Sequence, residues 1–310
     1  MTPAARAMRA MEATPGMTPA ELAIARSVLY ASIFDYPLTL AQLRQTLIES
    51  TLTPSEIVSV YAGSEALQKT IEQREGFYFP RGRGDLIAER RRREARSRRF
   101  LDHHRRVLTL VAAMPYVRMA ALSGSVAHLN LEGDGDLDLF IITKGKRVWS
   151  VTVACVIVAK LLRRRRTLCV NFVVADSALA LDQQDLFTAS QIIHLKPLVG
   201  QAEYRRFLAE NPFVARFYPN FHYTGVERLP IRPRRFVGVL KGIVETVMLP
   251  VSALVERVCR RAYRAYLVRR SATWRSPEQV RLEPDCLKLH TQSHRQSVLA
   301  RFGSAVKELE

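Results

Sequence analysis

The stretch Leu122–Thr143, LSGSVAHLNLEGDGDLDLFIIT, decides how the rest of the chain is read. An apolar run, Tyr116–Leu122, ends in the small residues Ser123, Gly124 and Ser125, and a second apolar run begins at Leu137. This pattern predicts a strand, a tight turn and a second strand, Leu137–Thr143. Alternation along the second strand places Asp136 and Asp138 on one face. Two adjacent carboxylates repel each other unless a cation lies between them, and hard oxygen donors in this arrangement suit Mg²⁺ holding a triphosphate. Gly124 lets backbone approach phosphate oxygens closely, and the Ser125 hydroxyl and amide can bond them.

Working outward, strand and helix signals alternate. Arg147–Leu162 reads as a buried helix closing in a basic turn, Arg163–Arg166, and Leu168–Val174 (LCVNFVV) reads as a third strand. Further on, Leu186–Leu208 is expected to be helical with a break at Pro197, and Phe236–Arg270 to be a long basic helical region kinked near Pro250. Cys286, His290 and His294 have a spacing that puts them on one helical face, as a zinc site requires. With three candidates and no second cysteine pair, an ordinary helix surface explains them more simply. No P-loop, GxGxxG or Ser-His-Asp order is present.

Upstream, Thr18 and Glu21 open a helix with a capping-box signature, which Asp35, Tyr36 and Pro37 end. A short helix follows in Thr39–Ile48, and a third runs from Thr53, again with an acid three residues on, to Thr70. IEQREGFYFPRG then reads as a hairpin. Three helices and a hairpin resemble a winged helix-turn-helix, whose third helix would enter a DNA groove. Between Met17 and Glu75, however, acids outnumber bases, which opposes contact with phosphates and favours a role in protein contact or domain packing. Composition shifts abruptly at Arg81–Arg106, where arginines dominate. That segment can contact a phosphate backbone or form the solvated face of a linking helix.

The whole chain has 310 residues and a net charge of +18. Its length suggests about two domains, and its apolar content excludes a wholly disordered or collagen-like protein. The excess of positive charge points to a polyanion: nucleic acid, an anionic membrane surface or a phosphate-rich ligand. Cys155, Cys169, Cys259 and Cys286 lie far apart, which argues against a zinc ribbon or disulfide scaffold and for a reducing, cytoplasmic setting. The N-terminal residues 1–17 lack the apolar segment of a secretory signal and read as a disordered tail. No transmembrane segment is expected. Trp149–Ala159 is too short to span, and Phe236–Val255 is interrupted by Lys241, Glu245 and Pro250, leaving a basic amphipathic helix lying on a membrane as the weaker alternative.

A hydrophobic residue, Gly-Ser, ten intervening residues and then Asp-hydrophobic-Asp-hydrophobic resembles the signature of the DNA polymerase β-like nucleotidyltransferase superfamily. The match covers roughly Tyr116–Val174. LFTASQIIHLKPLVG and CLKLH are similar to bacterial nucleotidyltransferases that carry an N-terminal winged helix, which extends the resemblance over most of the chain. It implies an α+β fold in four parts: a tail, 1–17; a winged helix-like domain, 18–85; a nucleotidyltransferase-like core with a mixed sheet, 86–200; and a basic C-terminal helical region, 201–310.

It also implies that Gly124 and Ser125 hold nucleotide phosphates and that Asp136 and Asp138 are the catalytic, Mg²⁺-binding carboxylates of a two-metal site. Many members place a third acid on a later strand, and here Asn171 stands in its place, bringing no negative charge to the second metal. Asp134 and Asp176 are the substitutes at hand, the first by strand parity, the second placed to cap a following helix. Lys144, Lys146 and Arg147 could hold phosphate charge or be solvated loop cations. The expected activity is Mg²⁺-dependent transfer of an NMP from an NTP to an acceptor with release of pyrophosphate. The alternative is a catalytically weak or inactive relative that binds nucleic acid or protein, using the Arg81–Arg106 segment and the C-terminal helices.

Overall fold

In a computed structural model, residues 16–224, 235–307 and 309 are described. The expected tail, 1–17, thus lies almost wholly outside the described residues. The fold is α+β, with two separate sheets of three and six strands among the described residues. The chain divides into two compact units: the first takes residues through Ile87, Tyr218–Asn220 and those from Ser297 on, the second Ala88–Phe217 and Phe221–Gln296.

In the first unit, helix α1 (Pro19–Ser32) opens on the expected capping box, with Thr18 and Glu21 bonding each other's backbone amides at 2.6 and 3.3 Å. Strand β1 (Leu38–Thr39) and helix α2 (Leu40–Gln45) follow, then α3 (Pro54–Gly63) and α4 (Glu65–Thr70). The single helix expected over 53–70 is broken at Ser64, whose extended backbone and side-chain oxygen, accepting from the Leu67 amide at 3.0 Å, start a new helix. Strands β2 (Ile71–Arg74) and β3 (Phe77–Pro80) form the hairpin about Glu75 and Gly76, both at positive φ, a geometry that matches the twist of paired strands. Strand β1, too short to leave a pattern in sequence, pairs with β3. Ile24, Leu43, Leu47, Ile57, Leu67 and Ile71 form this unit's core.

The arginine-rich segment from Asp85 onward is one helix, α5 (Asp85–Ala113), with Arg81 and Arg83 in the turn before it. Beyond it come β4 (Val117–Ser123), a single-turn helix α6 (Gly124–Ala127), β5 (Leu137–Thr143), α7 (Val148–Leu161), β6 (Leu168–Ala175), α8 (Leu186–Ile193), β7 (Lys196–Val199), α9 (Gln201–Ala209), α10 (Phe213–Phe217), α11 (Arg235–Arg269), β8 (Val280–Leu282), β9 (Cys286–Leu289) and α12 (Arg295–Lys307). The six-stranded sheet has the order β7-β4-β5-β6-β9-β8. Among its described strands only β5 and β6, joined through α7, are parallel.

Several sequence expectations are corrected. Pro197 does not break a helix; it lies in β7, an edge strand antiparallel to β4, the kind of position in a sheet where proline is tolerated. Cys286 lies in β9, paired with β6, so Cys286, His290 and His294 share no helical face. Residues 201–310 are not helical throughout, because β8 and β9 complete the sheet. Pro250 lies inside a continuous α11, so it does not end the segment, and Val237–Arg269 is long and apolar enough to cross a membrane by length and composition. Helix α7 is buried on one side only, since Leu161 near its end is 77% exposed.

Candidate functional site

The expected Gly-Ser turn and carboxylate strand meet at one end of β4, β5 and β6. Ser123, the last residue of β4, is opposite Asp138 on β5, and Asp138 is in turn opposite Cys169 on β6. Gly124 adopts φ +66°, and a Cβ built on it would lie 2.4 Å from Asp138 Oδ2. Glycine is therefore required twice over, by the left-handed backbone and by contact with the carboxylate. Ser125 follows in the turn with its side chain exposed, while its carbonyl accepts from the Asn130 amide at 2.9 Å.

Asp136, Asp138 and Cys169 offer ligand atoms that all lie within 4.8 Å of one another. Burial, and then the negative charge of Asp136, push the Asp138 carboxyl up to about 7. Burial also pushes the Cys169 thiol up to about 12, with its hydrogen bond to Asp136 adding to the effect. Asp138 and Cys169 are thus acidic groups whose ionisation burial disfavours and a cation would favour. Two carboxylates are donors suited to a hard divalent cation, whereas the thiol is a softer donor than magnesium selects.

Asn171, expected at the third-acid position, donates its amide to Asp138 Oδ1. It occupies the irregularity where β6 shifts register against β5 between the Leu139–Val170 and Phe140–Phe172 pairs. Cys169 is a member of the cluster that sequence reasoning missed, although it shares strand parity with Asn171 in LCVNFVV; that parity is the signal that could have found it.

The two substitute acids are elsewhere. Asp134 is exposed in a bend before β5 and outside the cluster. Asp176 caps no helix; its carboxylate accepts from the Gly145 amide at 2.9 Å at the opposite end of β5 and β6, about 23 Å along the strand from Cys169. Lys144, Lys146 and Arg147 are at that far end too. There they meet Glu245 (3.4 Å), Asp285 (3.5 Å) and Ser252 (2.9 Å), so strand direction separates them from the carboxylates.

The arginines of α5 divide by helical face. Arg90 and Arg93 are buried, whereas Arg91, Arg92, Arg98, Arg99, Arg105 and Arg106 are exposed. The inward face grips the loop joining the Gly-Ser turn to the carboxylates. Arg93 reaches Asn130 Oδ1 at 3.4 Å and the Glu132 carboxylate at 3.2 Å, and Arg96 donates to the Leu131 and Glu132 carbonyls. Buried Ser97 accepts from the Leu131 amide at 3.1 Å. Of the outward arginines, Arg92 and Arg98 pair with Glu89 and Glu94 one turn back. Neither a protein-family model nor a curated protein nor a solved structure matches the chain.

Proposed function

We propose that the chain is a Mg²⁺-dependent nucleotidyltransferase, moving an NMP from an NTP to an acceptor and releasing pyrophosphate, within a nucleotidyltransferase-type mixed sheet preceded by a winged helix-like domain. The observation that carries this reading is the contact of the Gly124 turn with Asp138. A phosphate-binding loop and a cation-binding carboxylate pair are useful to one another only when they touch, and here no Cβ fits between them.

In this reading Gly124 and Ser125 orient the triphosphate through backbone amides and the Ser125 hydroxyl, and Asp136 and Asp138 hold magnesium. The ion, when bound, neutralises charge on the triphosphate and the departing pyrophosphate. Asp138 must give up its proton to serve as a ligand, and the same cation that it binds favours that loss. Arg93, Arg96 and Ser97 act at one remove by fixing the intervening loop, so that positioning is settled before substrate arrives.

A second reading, a nucleotide-binding relative with little or no transfer, is favoured by Asn171. It occupies the place of a third carboxylate and donates to Asp138, where a catalytic acid would accept a metal. Purified protein with α-phosphate-labelled NTPs, Mg²⁺ and candidate acceptors separates the two. Transfer and Mg²⁺-dependent binding, both lost in Asp136→Ala/Asp138→Ala, support the enzyme, and binding without transfer supports the relative. An unchanged Mg·NTP affinity in the double variant refutes both.

A further inference from the structure

Over its first two-thirds, helix α11 is polar inside and apolar outside. The stripe facing the sheet unit carries Lys241, Glu245, Ser252 and Glu256, and the last three are buried. Glu245 accepts from the Tyr116 amide at 2.8 Å and pairs with Arg118 at 2.9 Å. Glu256 accepts from the amides of Trp149 and Ser150 at 2.9 and 2.8 Å, satisfying the N-terminus of α7, which has no side-chain cap of its own. Lys241 donates to the Val117 carbonyl. These bonds fix the rotation of α11 about its axis.

The outward stripe follows from that rotation. Val239, Ile243, Val247, Val251, Leu254 and Val258 recur every three or four residues and are 45–71% exposed. They make an apolar strip about 29 Å long. Its continuation is cationic, with exposed Arg257, Arg261, Arg264, Arg269 and Arg270. Alongside, α7 ends in exposed Ile157, Leu161 and Leu162 and runs into Arg163–Arg166; its end lies beside Tyr263, which bonds Arg165. The only acids of α11, Glu245 and Glu256, both face inward.

We propose that this face of α7 and α11 docks on an anionic lipid bilayer, with α11 lying in the plane of the interface, its valines and leucines among the acyl chains and its arginines on headgroup phosphates. An apolar strip continuous with a cationic patch and free of outward acids is the chemistry of an interfacial helix. A second copy on the same face would set arginine against arginine, and a nucleic acid would leave the apolar strip in water. Spanning the bilayer would tear Lys241, Glu245 and Glu256 from their partners into hydrocarbon, whereas lying on it keeps every one of those bonds. The proposal rests on no part of the nucleotide reading.

The test is flotation of the full chain with vesicles of phosphatidylcholine alone and of phosphatidylcholine with phosphatidylglycerol. Binding to the anionic vesicles should be at least about tenfold stronger and should weaken with salt. Val247→Glu/Leu254→Glu should abolish it without changing the melting temperature, because both side chains are exposed. Arg257→Gln/Arg261→Gln/Arg264→Gln should remove the preference for anionic lipid. No flotation of the parent, or equal flotation of the Glu variant, overturns the proposal. So does retention after an alkaline carbonate wash, which marks a spanning helix. A solution dimer that the Glu variant dissociates, or release of the arginine variant from nucleic acid while flotation is unaltered, assigns the face to those partners and overturns it equally.

Discussion

Replacing Asp138 with Asn tests the electrostatics of the site directly. In the cation-free fold, burial and Asp136 raise the Asp138 carboxyl from an ordinary 3.8 to about 7. Between these values the folded chain holds a proton that the unfolded chain has lost. The contribution of Asp138 to stability therefore falls as pH rises through this window and is lowest above about 7, while His128, His194 and His290, whose imidazoles burial holds below their ordinary value, raise the stability of the whole chain over the lower part of it. The full rise corresponds to at most about 4 kcal/mol at 1.36 kcal/mol for each pH interval, less whatever water reaching the side chain screens. The substituted amide cannot ionise, and its carbonyl can still accept from Asn171. The histidines act equally in both proteins, so the advantage of the variant over the parent should grow from pH 4 to 8, reaching up to about 16 °C at 2–4 °C per kcal/mol. Adding Mg²⁺ at pH 8 should stabilise the parent and leave the variant unchanged. Calorimetry from pH 4 to 8, with Asp134→Asn in the exposed bend as control, is the assay. Melting profiles of parent and variant that run parallel from pH 4 to 8 would refute the reasoning.

Three further outcomes follow from the same geometry. Gly124→Ala should cost about 1–3 kcal/mol through the left-handed backbone and the contact with Asp138, and should weaken Mg²⁺ binding with it; thermal melts with and without the ion check both. Asn171→Asp adds a third carboxylate beside Asp138, so the metal-free protein should melt lower and tighter Mg²⁺ binding should recover the loss, as calorimetric titration would register. Ser97→Ala strands the buried Leu131 amide, costing about 1–3 kcal/mol, and should speed hydrogen exchange in the loop before the carboxylates more than elsewhere.

Local features were legible in the sequence because their causes are local. The Thr18–Glu21 and Thr53–Glu56 caps, the Glu75-Gly76 turn, the strand start at Leu137 and the shared face of Asp136 and Asp138 each depend on residues within a few positions of one another. What failed depends on distant partners. Lys196–Val199 became a strand only because β4 offered an unpaired edge, and Cys286 did so because β6 did. Cys169 joins the carboxylates through the parallel register of β5 and β6, which is closed by a helix between them and leaves no trace in the spacing of the two segments. Lys144, Lys146 and Arg147 follow the carboxylates closely in sequence, yet an extended strand carries them about 20 Å away. The sequence alone determined the charge, the α+β alternation and the order of a Gly-Ser turn followed by paired acids on a strand. Tertiary structure alone decided which third group joined them and which face of α11 turned outward, because the hydrogen bonds that Glu245 and Glu256 accept from the Tyr116 amide, just before β4, and from the start of α7 outweigh the ordinary preference for burying valine and leucine.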